Sequence, residues 1–597
     1  MENKENILRL VLAIVLSFVV ILGFQLLFKG TRPAPKPSVP AEAGPATQMP
    51  GTTPQVQAEA PKAEAAKPVP ATEQPAATET GPQKAEGPQA VTVITPLYTA
   101  EWSNLGGVLK SWKLARYKDS KKQDLELVSD RATPGAYPFS LGLEDNDLAA
   151  SLNSKEFFAV QAVPGLSDNR MDLKAGETGE IKFVYSDGAS VRAEKVFRLK
   201  GGSYAIDVDI KIWKAGRPVA ASFLWGPGLG NPSPGELSQR YTAARGAAYH
   251  IGNRVQRRTE GKTKPGPGQP TFVDWAAYED QYFAALFVPP GRTGVADFIA
   301  REPVAGAAEA APGAAPAKPA EGPKGDYFLY ISGEPGSPGG PVLGYIGPKE
   351  SEALVAFGHD TKAVVNYSRF IGVNLKPIAE LMLVATRFFY KLIPNWGVAI
   401  ILLTLAIKII FFPLTYSSTK SMAKMAELQP KVKAIRSKYK KAKTDIDQRR
   451  QMNEEMMKLY KEQGVNPAGG CLPLLIQMPV FVAVYQMLVA AIEFRHSPFI
   501  SFWISDLSVR DKTFVLPLLM GGTQYISQKM TPTSADPAQA RMMLFMPVIM
   551  TGIFAFAQSG LVLYWLTSNV LQIGQQALMN KMMHRAKEKA KDKAKAR

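Results

Sequence analysis

Residues 396–414 read WGVAIILLTLAIKIIFFPL: 19 residues with one formal charge, Lys408, and one proline, Pro413. At 1.5 Å per residue such a run matches the ~30 Å hydrocarbon core of a bilayer, so it predicts a transmembrane helix. An ionisable side chain inside a span is costly and marks a functional position by default. Lys408 lies 12 residues beyond Trp396, ~18 Å along the helix axis. Its ammonium needs water or a partner, or must snorkel to the headgroups. Thr404, one turn earlier on the same face, extends the polar stripe and favours a water-filled cavity.

Further apolar runs follow at 472–492, 514–527, 542–558 and 561–578, making five candidate spans in this part of the chain. Another occupies residues 7–28, with Arg9 as its only charge. That run is longer than a signal-peptide core, and Phe24 to Phe28 offer no small-x-small cleavage site, so it reads as an uncleaved signal anchor over 1–29. The mean hydropathy of -0.08 therefore averages two oily ends with a polar middle.

The net charge of +18 admits anionic lipid or nucleic acid, and its distribution decides. Residues 416–467 hold 13 Lys/Arg against six acidic residues, and the tail 581–597 holds eight against two. Both segments adjoin predicted spans, which points to the cytoplasmic side of a membrane and to anionic lipid, not to DNA. Placing both inside forces alternation: 493–513 outside, 529–541 inside, 559–560 outside. The middle of the chain is then outside and both termini are inside, with six spans.

Residues 30–90 are Pro, Ala, Glu, Thr and Gln with hardly an aromatic, too little apolar surface to offset ordering entropy, and read as a disordered linker. Residues 303–324 read as a low-complexity insertion. Between 91 and 357 the pattern is alternation: Tyr204, Ile206, Val208, Ile210 and Ile212 point one way, Ala205, Asp207, Asp209 and Lys211 the other. Similar runs at 181–185, 196–199, 282–288 and 327–331 predict a large β-sandwich. Cys471 is the only cysteine, so no disulfide supports that domain. Residues 374–392 carry Leu375, Ile378, Leu381, Met382, Ala385, Phe388, Phe389 and Leu392 at helical spacing and predict an interfacial amphipathic helix.

The basic segment 416–467 predicts a helical hairpin, 418–440 and 444–463, with Thr444 and Asp447 as start signal, Gly464 as stop and Pro430 as a kink or restart. Met422, Met425 and Met456 make it Met-rich, suited to varied hydrophobic clients or to helix packing. Polar residues recur within the spans: Gln477, Gln486, Gln524, Gln528, Asn569 and Gln572. Singly each suits a helix–helix hydrogen bond. Together with Lys408, and with no acidic residue in any of the five spans, they suggest a hydrophilic groove of net positive charge.

No P-loop, HExxH or GxSxG pattern is present, so nothing supports nucleotide-driven or hydrolytic chemistry. A secondary transporter would be expected to carry half-repeats and intramembrane acids. A membrane-anchored periplasmic enzyme or carbohydrate-binding protein would be expected to carry a carboxylate or histidine constellation in the β-domain. Neither pattern is evident.

Several motifs in order carry a resemblance: Pro413-Leu414-Thr415, Lys420-Ser421-Met422-Ala423-Lys424-Met425, Leu428-Gln429-Pro430-Lys431, the run from Val465 to Pro479 (VNPAGGCLPLLIQMP) and Ser559 to Trp565 (SGLVLYW). This chain resembles the YidC/Oxa/Alb family of membrane protein insertases over roughly 396–581, and more loosely in its whole architecture. The resemblance implies a polytopic helical inner-membrane protein with a five-span insertase core (396–580) and a periplasmic domain similar to sugar-mutarotase-like folds. It implies an insertase and chaperone for nascent membrane proteins, working alone or beside the Sec translocon, with basic segments resembling ribosome-contacting ones, and no cofactor. It also implies a groove with one positive residue, usually arginine, at the position of Lys408. Lysine keeps the charge and loses the planar fork. By similarity, Tyr564 and Trp565 lie where clients pass the last span; an interfacial aromatic belt is the other reading.

Overall fold

The computed structural model describes residues 85, 87–119, 121–159, 166–167, 169–231, 245–266, 268–292, 294–301, 325–333, 341–367, 375–441, 445–465, 472–530 and 537–595. The expected signal anchor, almost all of the linker, the 303–324 insertion, Thr444 and Cys471 lie outside them.

The middle of the chain folds into three sheets of ten, six and five strands. The largest is antiparallel and runs from Arg254–Thr259 through Gly246–Ile251, Trp275–Glu279, Phe283–Val288, Val342–Pro348, Ala205–Lys214, Val191–Lys200 and Thr178–Ser186 to Phe158–Ala159. The expected strands at 181–185, 196–199 and 327–331 fall inside observed ones, and that at 282–288 matches Phe283–Val288 but for its first residue. Within Ala205–Lys214, Ile206, Val208 and Ile212 are buried as the alternation requires. Asp209 is also buried, and Lys211 Nζ reaches its carboxylate at 3.0 Å. Trp102, Trp112, Phe139, Phe197, Trp225 and Phe287 build the centre of the core with almost no exposed surface. Each such ring contributes about 1.5–3 kcal/mol on burial, so packing replaces the missing disulfides. Two short helices interrupt the sheets, α1 (Asn146–Asn153) and α2 (Ser351–Phe357).

One core position breaks the pattern. Lys195 is 0% exposed and its ammonium donates to the carbonyls of Gly106 at 2.6 Å and Phe139 at 2.8 Å. Burial pushes its pKa down from 10.5 to about 7. The folded state favours the neutral amine while the unfolded chain keeps its proton to about pH 10.5. Between those values the unfolded chain binds more protons, so this residue's contribution to stability rises with pH and is flat below the lower one. Lys195→Met should remove that slope. Denaturant midpoints at about pH 7 and about pH 9 measure it, and equal slopes in both proteins would count against this account.

The C-terminal part is helical: α3 (Lys376–Leu392), α4 (Trp396–Glu427), α5 (Gln429–Lys438), α6 (Ile446–Glu462), α7 (Leu472–Ala490), α8 (Val515–Met530), α9 (Pro537–Phe554) and α10 (Ser559–Lys595). Among the described residues, α4 alone holds a stretch long and apolar enough to cross a bilayer by itself; Gln477–Ala490 and Leu544–Phe554 are shorter apolar stretches.

Several boundaries differ from the sequence reading. The first C-terminal span and the start of the first hairpin helix form one 32-residue helix through Pro413, whose missing N–H removes one ladder bond without ending the helix. The helix breaks at Leu428 and restarts with Pro430 in its first turn. Asp445 caps α6, accepting from the amides of Asp447 and Gln448. Gly464 ends that segment at φ +62°. Helix α9 starts five residues earlier than the apolar run, and α10 continues unbroken from the last apolar run into the basic tail.

The apolar stripe on α3 divides in two. Leu375, Ala379, Met382 and Leu383 are buried in the helix bundle, whereas Leu381, Val384, Phe388 and Leu392 are each about 60% exposed. The bundle core gathers Ile400, Leu403 and Ile407 of α4, Val480, Val484 and Met487 of α7, Met520 of α8 and Leu561 to Tyr564 of α10. Helix α8 approaches α9 closely at Gly521, where a Cβ would lie 2.0 Å from Thr551 Oγ1.

Candidate functional site: a cation in the helix bundle

Lys408 is half-buried on α4 and turned toward α10, where its Nζ donates to Gln572 Oε1 at 2.9 Å. An ammonium has three donors. Among the described residues Gln572 is the one protein acceptor it meets, and Lys408 forms no ion pair.

Helix α10 supplies the rest of a polar column. Asn569, 7% exposed, donates Nδ2 to Met520 O at 3.1 Å and to Thr523 Oγ1 at 3.4 Å, fixing α10 against α8. One turn beyond Gln572, Gln576 donates to Asn580 Oδ1 at 3.0 Å. Its own Oε1, Gln575 Nε2 and, on α8, Gln528 Oε1 are buried without a protein partner among the described residues. Buried amide atoms left so cost roughly 1–3 kcal/mol each unless water or a ligand reaches them.

The other expected residues take different places. Thr404 is 1% exposed and returns its hydroxyl to Ile400 O at 2.7 Å on its own helix. Such back-bonding is the usual fate of a threonine in an apolar helix. Tyr564 is also 1% exposed, packed in the bundle core with its ring 6.4 Å from Phe481. Trp565 is half-buried: its indole N–H donates to Gln524 Oε1 at 3.1 Å and its ring meets Phe481 edge-on at 4.8 Å. Gln477 is half-buried near the start of α7. Met422 and Met425 lie half-buried on the far end of α4, and Met456 half-buried on α6, a helix with no fully buried residue. Lys438 joins α5 to α6 through Glu455 at 3.0 Å.

Lys408, Gln572, Asn569 and Gln528 thus share the α4–α8–α10 region, while Thr404 and Tyr564 serve packing. Gln572 belongs to the series of span amides read from the sequence, but its pairing with Lys408 and the roles of Gln575 and Gln576 beside it were not read there. The spacing Asn569, Gln572, Gln576, steps of three and four along one helix, was the signal available.

Residues 90–317 match the model described as the YidC periplasmic domain, and residues 388–588 the model described as 60Kd inner membrane protein. A protein of Syntrophus aciditrophicus named membrane protein insertase YidC is 34% identical over 580 residues, 96% of this chain and 98% of that one. The chain belongs to the YidC family of membrane protein insertases. Its counterpart in Oleidesulfovibrio alaskensis, of the same name, is 35% identical over 96% of this chain and 99% of its own length. A crystal structure titled active YidC insertase with the first transmembrane domain resolved is 21% identical, covers 83% of this chain and 93% of that chain, and superposes with a TM-score of 0.34. The YidC-family assignment accounts for the β-rich periplasmic domain and the helical C-terminal region together.

Proposed function

We propose that this insertase works through a hydrated groove centred on Lys408, with Gln572, Asn569, Gln528 and Gln477 as its polar lining and Trp565 at its edge. The observation that carries the reading is the Lys408–Gln572 pair on α4 and α10 together with buried amide atoms of Gln575 and Gln576 that have no protein partner among the described residues. Such atoms favour water, and water with a positive charge lowers the barrier for a client's short polar flank. The client's apolar segment then partitions into lipid downhill, so no nucleotide or cofactor is needed. The Met-bearing hairpin, Met422, Met425 and Met456, receives the nascent segment, and Tyr564 acts by holding α10 in place.

In this reading the chain makes six spans with both termini cytoplasmic and the β-sandwich periplasmic. Support comes from a belt of outward apolar side chains, including Leu381, Phe388, Ile409, Ile410, Leu518, Phe545 and Val548, each at least 58% exposed. The basic hairpin and tail lie against anionic lipid and near ribosomes delivering clients, with the protein acting alone or with the Sec translocon.

The test uses the full chain in proteoliposomes and one single-span client whose translocated flank carries acidic, neutral or basic residues. Acidic flanks should insert fastest and basic ones slowest, by about threefold or more between the extremes, with the difference shrinking as salt rises. No insertion above empty liposomes, or no dependence on flank charge, would sink the reading.

A further inference from the structure

One guanidinium outside the groove joins three segments that are distant in sequence. Arg387 on α3 donates Nε to Glu493 Oε1 at 2.8 Å, with Nη2 on the same oxygen, and Nη1 to Glu352 Oε1 at 3.0 Å. Glu493 lies three residues past the end of α7, in the short turn Ile492–Phe494. Glu352 is on α2, which follows the last strand of the β-rich domain. A planar fork with donors on several sides suits such a junction, since it gives Glu493 two fixed donors and Glu352 a third, whereas a lysine is a point charge without that fixed geometry.

The two arms differ in environment. The Glu493 side chain is 15% exposed and that of Arg387 23%, whereas Glu352 is 86% exposed. The first pair is shielded from solvent and geometrically fixed, and the second is screened.

What surrounds the joint ties the same three bodies. Gln281 of the β-rich domain donates to Val489 O on α7 at 2.7 Å. Ala490 and Ile492 are buried within the hydrophobic core of that domain. Arg495 donates to Lys118 O at 2.9 Å and stands over the Phe283 ring. On the opposite side of the joint, Thr386 of α3 lies 3.6 Å from Met487 Sδ of α7, beside Met382 and Leu383. The outer end of α7 is therefore held between the domain and α3, while the same helix carries Gln477 at its other end.

We infer that Arg387 is a positioning residue for insertion: through Glu493 it fixes the outer end of α7 against α3, and through Glu352 it registers the β-rich domain on that joint. The inference rests on the groove reading only in its activity readout. Its geometric claim stands apart.

The experiment uses full-length protein in proteoliposomes with two readouts. One is the initial rate of single-span client insertion. The other is the distance distribution between spin labels at exposed positions Leu381 on α3 and Met478 on α7, in a Cys471→Ser background. Arg387→Ala and Glu493→Gln should each slow insertion about fivefold and broaden the distribution, and the double variant should be no slower than either single. The exchange Arg387→Glu with Glu493→Arg should return the rate to within about twofold of wild type, which loss of folding alone would not produce, and Glu352→Gln should cost less than about twofold. If Arg387→Ala does not fold, Glu493→Gln and the exchange carry the test. An unchanged label distribution in Arg387→Ala or Glu493→Gln, or an exchange variant no faster than the singles, overturns the inference. Wild-type insertion by Lys408→Ala beside slow insertion and a broadened distribution in Arg387→Ala would instead defeat the groove and leave the positioning role in place.

Discussion

Lys408→Ala should slow client insertion by about 30-fold, while Lys408→Arg stays within about threefold of wild type. A unit charge about 8 Å from a passing carboxylate, at an effective dielectric of about 20, is worth ~2 kcal/mol, and that difference in barrier gives the stated factor. The alanine variant also removes the one protein donor that Gln572 Oε1 meets among the described residues. Arginine keeps the charge, and its fork reaches the same amide. Proteoliposome insertion rates with an acidic-flank client measure the series. Equal rates for wild type, Ala and Arg would return Lys408 to a snorkelling role with no part in insertion.

The second large effect lies in the β-rich domain. Glu279 and Lys349 form a buried pair at 2.5 Å with side chains 4% and 2% exposed, and Arg257 Nε adds a second contact to Glu279 at 2.6 Å. Glu279→Ala leaves Lys349 buried, with the Asp280 carbonyl as its remaining partner there. Breaking one side of such a pair costs roughly 3–5 kcal/mol, since the other charge stays out of water. Adding Lys349→Met to Glu279→Ala should recover more than half of that loss, because no ammonium is then stranded. Hydrogen exchange of the strands Trp275–Glu279 and Phe283–Val288 in full-length protein reads both numbers. A loss below about 1 kcal/mol for Glu279→Ala would show that water or relaxation compensates the charge.

These two sites differ in how far the sequence foretold them. Lys408 stood out because a charge within an apolar run violates the pattern of its surroundings, and a violation is visible without coordinates. The strands were legible for the opposite reason: Ile206, Val208 and Ile212 obey a period of two. Lys195, Glu279 and Lys349 were less legible, because lysine and glutamate normally point to solvent. Lys195 shares the inward face of its strand with Ala193, Phe197 and Leu199 and Lys349 follows a strand end, but only the fold supplies the carbonyls and the carboxylate that receive their ammonium groups. The partner of Lys408 was half legible. Gln572 sat in a plain series of amides, but which of Gln477, Gln528 and Gln572 meets the ammonium depends on helix packing, which period and composition do not encode. Thr404 and Tyr564 illustrate the converse. Their residue types suit a groove, yet one bonds its own helix and the other fills the bundle core.

Helix boundaries failed where local signals were weighed without length. The sequence reading ends the apolar run at Leu414 and begins the hairpin helix at Ser418, and α4 passes through both to Glu427. That continuity has a mechanical consequence. Pro413 brings no N–H to the ladder, and Thr415 returns its hydroxyl to Phe411 O at 3.0 Å, so bending stiffness is lowest within that turn. A flexure of ~20° there, of the size proline allows, swings the Glu427 end by ~7 Å. Lys408, five residues above the joint, stays with the upper segment and hardly moves. Compliance is thereby concentrated below the charge, which in the proposed mechanism would let the hairpin follow an arriving chain without dragging the groove wall along.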